Sequence, residues 1–85
     1  MREFVYIVTD PLGLHARPAG LLVKQASSFS SKVRLFNGEK EADCRRLLAV
    51  MKLSVKQDSS LRFIIEGEDE EEAFRALETF CREKL

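Results

Sequence analysis

The chain of 85 residues lacks any excess of charge, because 14 Lys and Arg residues balance 14 Asp and Glu residues. General nucleic-acid binders usually carry an excess of basic residues. This sequence also lacks a series of aromatic residues on a basic strand, which could stack on bases. The sequence also has a single histidine and two distant cysteines, Cys44 and Cys81, without a CxxC pair. These are too few ligands for a zinc site. We therefore expect neither a metal nor a nucleic-acid partner.

Long apolar runs and an N-terminal signal are also missing from the sequence. No run approaches the roughly 20 residues of a membrane span, and residues 1–4 lack the basic-then-apolar order of a signal peptide. We expect a cytoplasmic protein without membrane insertion, and one domain over residues 1–85. The two cysteines are interpreted as small buried hydrophobes in a reduced compartment, and a disulfide between them stays open.

Hydrophobic periodicity divides the chain into seven elements. The prediction in chain order is strand 3–9, helix 16–27, strand 32–36, strand 39–42, helix 44–53, strand 61–66 and helix 69–84. Asn37 and Gly38 favour a tight hairpin turn. Asp43 and Asp69 are expected to cap the helices that follow them, Asp69 in a capping box with Glu72. The order β-α-β-β-α-β-α indicates an α+β fold, a four-stranded antiparallel sheet with three helices on one face.

The segment around His15 carries the main candidate for chemistry. His15 stands at the start of a predicted helix, with Gly13 before it and Arg17 and Pro18 after it. Pro18 suits a first turn, whose N–H groups have no intrahelical acceptor. A helix N-terminus attracts phosphate, Arg17 offers a guanidinium suited to phosphate oxygens, and a neutral imidazole nitrogen is a nucleophile. The pattern fits an imidazole that accepts a phosphoryl group, although local chemistry alone favours a plain turn or cap residue.

Residues 13–19, with the sequence GLHARPA, resemble the phosphorylation motif of the HPr family. These proteins are the histidine-containing phosphocarriers of the phosphoenolpyruvate-dependent sugar phosphotransferase system. Residues 50–53 and 66–73 also resemble that family, so the resemblance runs the full length. It implies an open-faced β-sandwich in which His15 accepts a phosphoryl group on Nδ1 from enzyme I and passes it to enzyme IIA domains for sugar uptake. It further implies that Arg17 and the amide of Ala16 contact the phosphoryl oxygens, that the protein is a carrier and not an enzyme, and that no cofactor takes part.

The second predicted helix has more apolar residues than one buried face requires. One stripe comprises Cys44, Leu47, Leu48 and Met51, and Val50 and Leu53 lie roughly opposite. A short helix on an open sheet cannot bury both sides, so one set is expected to be exposed and to form a candidate interface. The family resemblance assigns the positions of Leu47, Leu48 and Met51 to partner docking, together with Gly20 and Lys24 on the first helix.

Arg46 departs from the family pattern, because many Gram-positive members have a regulatory serine at that position. An arginine has no hydroxyl to phosphorylate, and its positive charge does not mimic a phosphoserine. Arg45 and Arg46 instead add charge suited to an acidic partner. Ala49 and Ser54 also stand where glycine is common. A second hypothesis is therefore a regulatory protein-binding module of the same fold with idle or non-transport phosphorylation. A monomer is expected in either case.

Overall fold

In the computed structural model, which describes residues 1–85, the chain forms seven elements. They are β1 (Arg2–Ile7), α1 (Ala16–Ser27), β2 (Lys32–Asn37), β3 (Lys40–Asp43), α2 (Leu47–Lys52), β4 (Ser60–Glu66) and α3 (Glu70–Lys84). The four strands make one antiparallel sheet in the order β1-β4-β2-β3. The expected element order and antiparallel α+β fold are confirmed.

The core lies between the three helices and one face of the sheet. Along β4, Leu61, Phe63 and Ile65 are fully buried, whereas Arg62 between them is exposed on the other face. Phe63 stacks on Phe4 of β1, with the ring centroids 4.5 Å apart. The expected apolar stripe of α3 faces this layer through Ala73, Phe74, Leu77, Phe80 and Cys81, of which Phe74 is half-buried.

The end of β1 determines where the loop to α1 begins. Val8 still donates its N–H to the carbonyl oxygen of Ser59, at 3.0 Å. The N–H groups of Thr9 and Asp10 both donate instead to the carbonyl oxygen of Leu85, at 2.7 and 2.8 Å. The strand expected over residues 3–9 therefore ends at Ile7, and the chain is held against the last residue of the sequence before it turns towards His15.

The second helix is shorter than the sequence predicted. Cys44 was expected to begin it, but its N–H donates to the carbonyl oxygen of Val33 at 2.9 Å and its side chain is fully buried. The Asp43 carboxylate accepts the N–H of Arg45 at 3.0 Å. Asp43 thus caps a turn and not a helix, and α2 starts at Leu47.

The capping box predicted for α3 is also wrong. Asp69 is the N-cap residue, but its side chain makes no hydrogen bond to the helix. The carboxylate accepts the N–H groups of Ser30 and Ser31, both at 2.9 Å, and the hydroxyl of Ser31. These donors, with the Ser31 hydroxyl contributing most, lower the pKa of Asp69 to about 2. Asp69 therefore ties the start of α3 to the segment before β2.

The two cysteines are free and buried, as the sequence predicted. Burial away from water raises the pKa of both thiols, that of Cys81 to about 12. Because the thiolate is the reactive form of cysteine, burial disfavours both side chains as nucleophiles. His15 remains the side chain to which the candidate chemistry points.

Candidate functional site

The loop in front of His15 is a tight turn supported by a neighbouring segment. Gly13 has a φ of +67°, which favours glycine, and its N–H donates to the carbonyl oxygen of Asp10 at 2.9 Å. Leu14 is buried, and its N–H donates to the carbonyl oxygen of Val55 at 3.0 Å. The residue immediately before His15 is therefore anchored in both its side chain and its backbone.

His15 itself is the N-cap residue of α1. Its backbone is extended, with φ −91° and ψ −175°, as the position before a helix requires. Its carbonyl oxygen accepts the N–H of Ala19 at 2.9 Å, but its side chain makes no capping hydrogen bond. The imidazole is 37% exposed. The backbone of His15 therefore takes part in the hydrogen bonding of the helix, whereas its partly exposed ring is accessible to a partner.

The first turn of α1 presents unsatisfied donors beside the ring. The N–H groups of Ala16 and Arg17 donate to no acceptor in the chain, and Pro18 has no N–H. No acidic residue lies in this turn, so no side chain of the turn itself offsets the partial positive charge of the helix end. The Arg17 side chain is exposed and makes no hydrogen bond or ion pair. Amides and a guanidinium in this arrangement suit a phosphate-like anion.

Asp10 is a neighbour of His15 that our sequence reasoning missed. Its Oδ2 lies 3.9 Å from Nε2 of His15, while its Oδ1 accepts the N–H of Leu12 at 2.9 Å. The signal was present in the turn sequence 10–13, because an aspartate at the first position of a turn commonly bonds the N–H two residues on. The distance from Asp10 to the ring of His15, however, depends on how the loop packs against the sheet.

The exposed side of α2 forms an apolar patch, which we define as Leu47, Leu48 and Met51. These side chains are 40%, 75% and 40% exposed. Val50 and Leu53, which lie on the other side, are buried in the core. The expectation that α2 exposes one apolar set is confirmed. Cys44 does not belong to this patch, because it precedes the helix and is buried.

Gly20 and Lys24, the two α1 positions predicted to dock partners, occupy one row of the helix. Ala16, Gly20 and Lys24 are spaced four residues apart and therefore follow one side of α1. Gly20 is half-buried, and a side-chain carbon added there would meet no atom within 4 Å. Lys24 is exposed in the last turn of α1. The row begins in the first turn, directly after His15, and α1 packs against α2.

Arg46 and Ser54 bracket α2. Arg46 is the N-cap residue, its carbonyl oxygen accepts the N–H of Val50 at 3.0 Å, and its exposed guanidinium makes no hydrogen bond or ion pair. Ser54 follows the helix with a φ of +53°. Glycine adopts this left-handed conformation more easily than serine. Ser54, which stands where glycine is common, therefore has the left-handed backbone conformation that glycine adopts more easily.

The rest of the chain adds no competing site of these kinds. No three His, Cys, Asp or Glu side chains lie together in a way that would hold a metal ion. None of the helices combines the length and the apolar character needed to cross a membrane.

Comparison with known families gives one match that covers almost the whole chain. A family model described as the PTS HPr component phosphorylation site matches residues 2–83. The chain is similar to the phosphocarrier protein HPr of Lysinibacillus sphaericus, with 45% identity over 83 residues, which cover 98% of this chain and 94% of that protein. It is also similar to the phosphocarrier protein HPr of Mycoplasma capricolum, with 36% identity over 91% of this chain and 86% of that protein.

Solved structures give the same picture. HPr-C-His from Thermoanaerobacter tengcongensis superposes with a TM-score of 0.94 at 37% identity, over 99% of this chain and 94% of that one. Crh of Bacillus subtilis, described as a catabolite repression protein and a swapped dimer, superposes with a TM-score of 0.77 at 35% identity, over 88% of this chain and 86% of that one. The similarity therefore extends to a phosphocarrier and to a regulatory relative.

Proposed function

Because the chain belongs to the HPr family of phosphocarrier proteins, we propose that His15 accepts a phosphoryl group on Nδ1 from enzyme I and passes it to enzyme IIA domains of the sugar phosphotransferase system. The observation that carries this proposal is the start of α1. There a histidine without a capping bond stands beside the unpaired amides of Ala16 and Arg17. The protein acts as one phosphocarrier domain and is a substrate of enzymes, not an enzyme itself.

The acceptance step follows from this arrangement. The lone pair of Nδ1 attacks the phosphorus of the donor, the new N–P bond forms, and the bond to the donor breaks with its electron pair leaving on the donor. The amides of Ala16 and Arg17 and the guanidinium of Arg17 stabilise the charge on the phosphoryl oxygens. Transfer of this kind depends on positioning and electrostatics. Passing the group on reverses the step, with His15 as the leaving group.

The partners dock beside the ring on α1 and α2. The apolar patch of Leu47, Leu48 and Met51 supplies the contact area, and the row of Gly20 and Lys24 extends it along α1. Exposed apolar side chains in a group, rimmed by charge, are typical of an interface. The exposed Arg46 at the start of α2 adds positive charge, which favours an acidic partner surface.

The direct test is phosphorylation in vitro. Incubation with phosphoenolpyruvate and the enzyme I from the same organism should add one phosphoryl group, measured by intact mass spectrometry. The adduct should be lost in acid, should be absent from His15→Ala, and should decline when an enzyme IIA domain is added. Because His15 is the only histidine, no other ring can replace it. Absence of an adduct on the unmodified chain would overturn the proposal.

A second candidate function is a regulatory binding module with idle or non-transport phosphorylation. It is favoured by Arg46, which removes the hydroxyl of the usual serine switch, and by the similarity to Crh. In this case His15→Ala would leave binding to the regulated partner intact, whereas Leu48→Asp would abolish it. A carrier instead loses phosphoryl transfer with His15→Ala. Loss of the regulatory binding in both variants, or in neither, would contradict the second candidate.

We also propose that the protein is monomeric and cytoplasmic. The two free, buried thiols suit a reduced compartment. Two related structures, Crh and an HPr of Thermoanaerobacter tengcongensis, are described as dimers, so the oligomeric state is the point to measure. Sedimentation equilibrium over a range of concentrations should give the mass of one chain, and a concentration-dependent doubling would contradict the monomer.

A further inference from the structure

Asp10 is held in place by three hydrogen bonds of its own. Its N–H donates to the carbonyl oxygen of Leu85 at 2.8 Å, and its carbonyl oxygen accepts the N–H of Gly13 at 2.9 Å. Its Oδ1 accepts the N–H of Leu12, also at 2.9 Å. Only Oδ2 is left without a hydrogen bond, and it lies 3.9 Å from Nε2 of His15. No other carboxylate lies within ion-pair distance of the ring, so the free oxygen of a fixed carboxylate faces one particular nitrogen.

We propose that Asp10 is a positioning residue for His15, which keeps the ring proton on Nε2 and thereby leaves Nδ1 with a free lone pair. This rests on the proposed phosphoryl transfer at Nδ1. In a neutral imidazole one nitrogen carries the proton and the other is the acceptor, and the neighbour of one nitrogen selects the tautomer. A carboxylate facing Nε2 favours the proton there, because an ionised carboxylate only accepts hydrogen bonds.

The same carboxylate acts again after the transfer. Attack uses the lone pair of Nδ1 and leaves the proton on Nε2, so the ring gains one positive charge as the donor leaves with its electron pair. Oδ2 of Asp10 is the nearest negative charge to that proton and stabilises it. The separation of 3.9 Å in the free protein is longer than a hydrogen bond, and such contacts commonly tighten when the partner is bound.

The effect is modest in size because both side chains are partly exposed, His15 by 37% and Asp10 by 29%. Exposed ion pairs correspond to a factor of about two to five in an equilibrium. We therefore expect Asp10→Asn to reduce the ratio of the Nε2–H to the Nδ1–H tautomer about two- to fivefold. The rate of phosphorylation by enzyme I should fall by at most this factor, because it depends on the fraction of the Nε2–H tautomer and on the stabilisation of the charged ring. Asparagine keeps the oxygen that accepts the Leu12 N–H, so the loop is retained.

The experiment compares Asp10→Asn with the matched control Asp58→Asn. Asp58 is exposed, its side chain makes no hydrogen bond or ion pair, and its φ of +72° suits asparagine. The tautomer ratio is measured by ¹⁵N NMR of the unphosphorylated protein at alkaline pH, and the rate by mass spectrometry. A second variant, Asp10→Ser, keeps an acceptor for the Leu12 N–H without a charge and should shift the ratio in the same direction. Thermal unfolding checks that all variants are folded.

The outcomes separate this inference from the proposed function. An unchanged tautomer ratio in Asp10→Asn, or a shift of equal size in Asp58→Asn, would overturn the positioning role. A shift in only one of the two Asp10 variants would also overturn it, because both remove the same charge. The tautomer measurement needs no partner enzyme. A tautomer shift in a protein that takes no phosphoryl group would therefore support the role of Asp10 at the ring while rejecting the proposed function.

Discussion

The carbonyl oxygen of Val55 lies where a side chain on Gly13 would begin. A side-chain carbon built on Gly13 would meet that oxygen and would lie 2.7 Å from Cα of Lys56. The same oxygen accepts the N–H of Leu14 at 3.0 Å. The loop that leads to His15 therefore rests directly on the backbone that follows α2, and the geometry of the candidate site depends on this close approach.

Gly13→Ala is expected to lower the free energy of unfolding by roughly 2–4 kcal/mol, from the collision together with the unfavourable φ of +67°. Gly38→Ala is the matched control, because its φ is +63° but an added carbon meets nothing within 4 Å. It should cost only about 1–2 kcal/mol. Urea unfolding followed by circular dichroism measures both, and equal losses would contradict the close approach of Gly13 to Val55.

The hydrogen bonds of Asp69 predict a pH-dependent contribution to stability. The pKa of this carboxyl is lowered from 3.8 to about 2 in the folded protein, chiefly by the Ser31 hydroxyl. The charged form is thus favoured by folding, so the contribution is fully present above pH 3.8 and is lost as the pH falls towards 2. Asp69→Asn should lower the free energy of unfolding at pH 7, because it removes the charge that the three donors share.

The difference in unfolding free energy between Asp69→Asn and the unsubstituted protein should become smaller at low pH. A protonated carboxyl is neutral like an amide, so the difference in unfolding free energy should shrink as the pH falls from 3.8 to 2. Urea titrations at several pH values measure this difference. Asp58→Asn, at an exposed aspartate without a side-chain bond, should show no such trend. A difference for Asp69→Asn that stays constant with pH would exclude the proposed linkage.

The regular elements could be predicted from the sequence because their signals are local. Alternation in β4 and helical spacing in α1 and α3 match the buried residues that the structure shows. The expectation that α2 exposes one apolar side also followed from spacing alone. These patterns depend only on which residues are apolar and how far apart they lie.

The errors arose where residues distant in sequence compete for the same groups. Asp69 stands in a sequence typical of a helix cap, but its carboxylate accepts the N–H groups of Ser30 and Ser31 instead. Cys44 was assigned to a helix, although its N–H continues the bonding of the sheet to Val33. Asp10 and His15 are only five residues apart, but the distance between their side chains depends on how the loop packs against the sheet. The contacts of Asp69 and Cys44 have no signal within a short window of sequence, and the turn signal at Asp10 does not determine its distance to the ring of His15.

On α2, substitution of an exposed apolar residue should weaken partner binding, whereas substitution of a nearby buried one should lower stability. Leu48 is 75% exposed and Val50 is buried. Leu48→Glu should change the free energy of unfolding by no more than about 0.5 kcal/mol but weaken the association with enzyme I. Val50→Ala should lower the unfolding free energy by roughly 1–3 kcal/mol and leave the association intact. Calorimetric titration with enzyme I and urea unfolding provide the two measurements.

This pair of variants also tests where the docking surface lies. If Leu48→Glu binds enzyme I as tightly as the unsubstituted protein, the patch is not part of that interface. If Leu48→Glu unfolds more easily than Val50→Ala, the side chain is not the exposed one that the structure describes. Either result would remove α2 from the proposed docking surface.

Arg17 provides the most direct test of the phosphate-binding arrangement, because its side chain is exposed and makes no hydrogen bond or ion pair. Arg17→Ala should leave the unfolding free energy within about 0.5 kcal/mol and slow phosphorylation roughly 10- to 100-fold, the loss expected for hydrogen bonds to a charged group. Arg17→Lys should recover only part of the rate, since an ammonium lacks the planar fork of the guanidinium.

The matched control is Arg62→Ala, which removes the same charge from the opposite face of the sheet. Arg62 lies over the ring of Phe36 and pairs with Glu3 at 3.3 Å, so its charge is directed away from α1. If both alanine variants slow phosphorylation equally, the rate depends on the overall charge of the protein and not on a guanidinium at the phosphoryl group. If only Arg17→Ala slows it and lysine restores part of the rate, the effect belongs to the local contact beside His15. Steady-state phosphorylation at low and high salt separates the two cases further, because long-range attraction is screened by salt and a direct contact is screened much less.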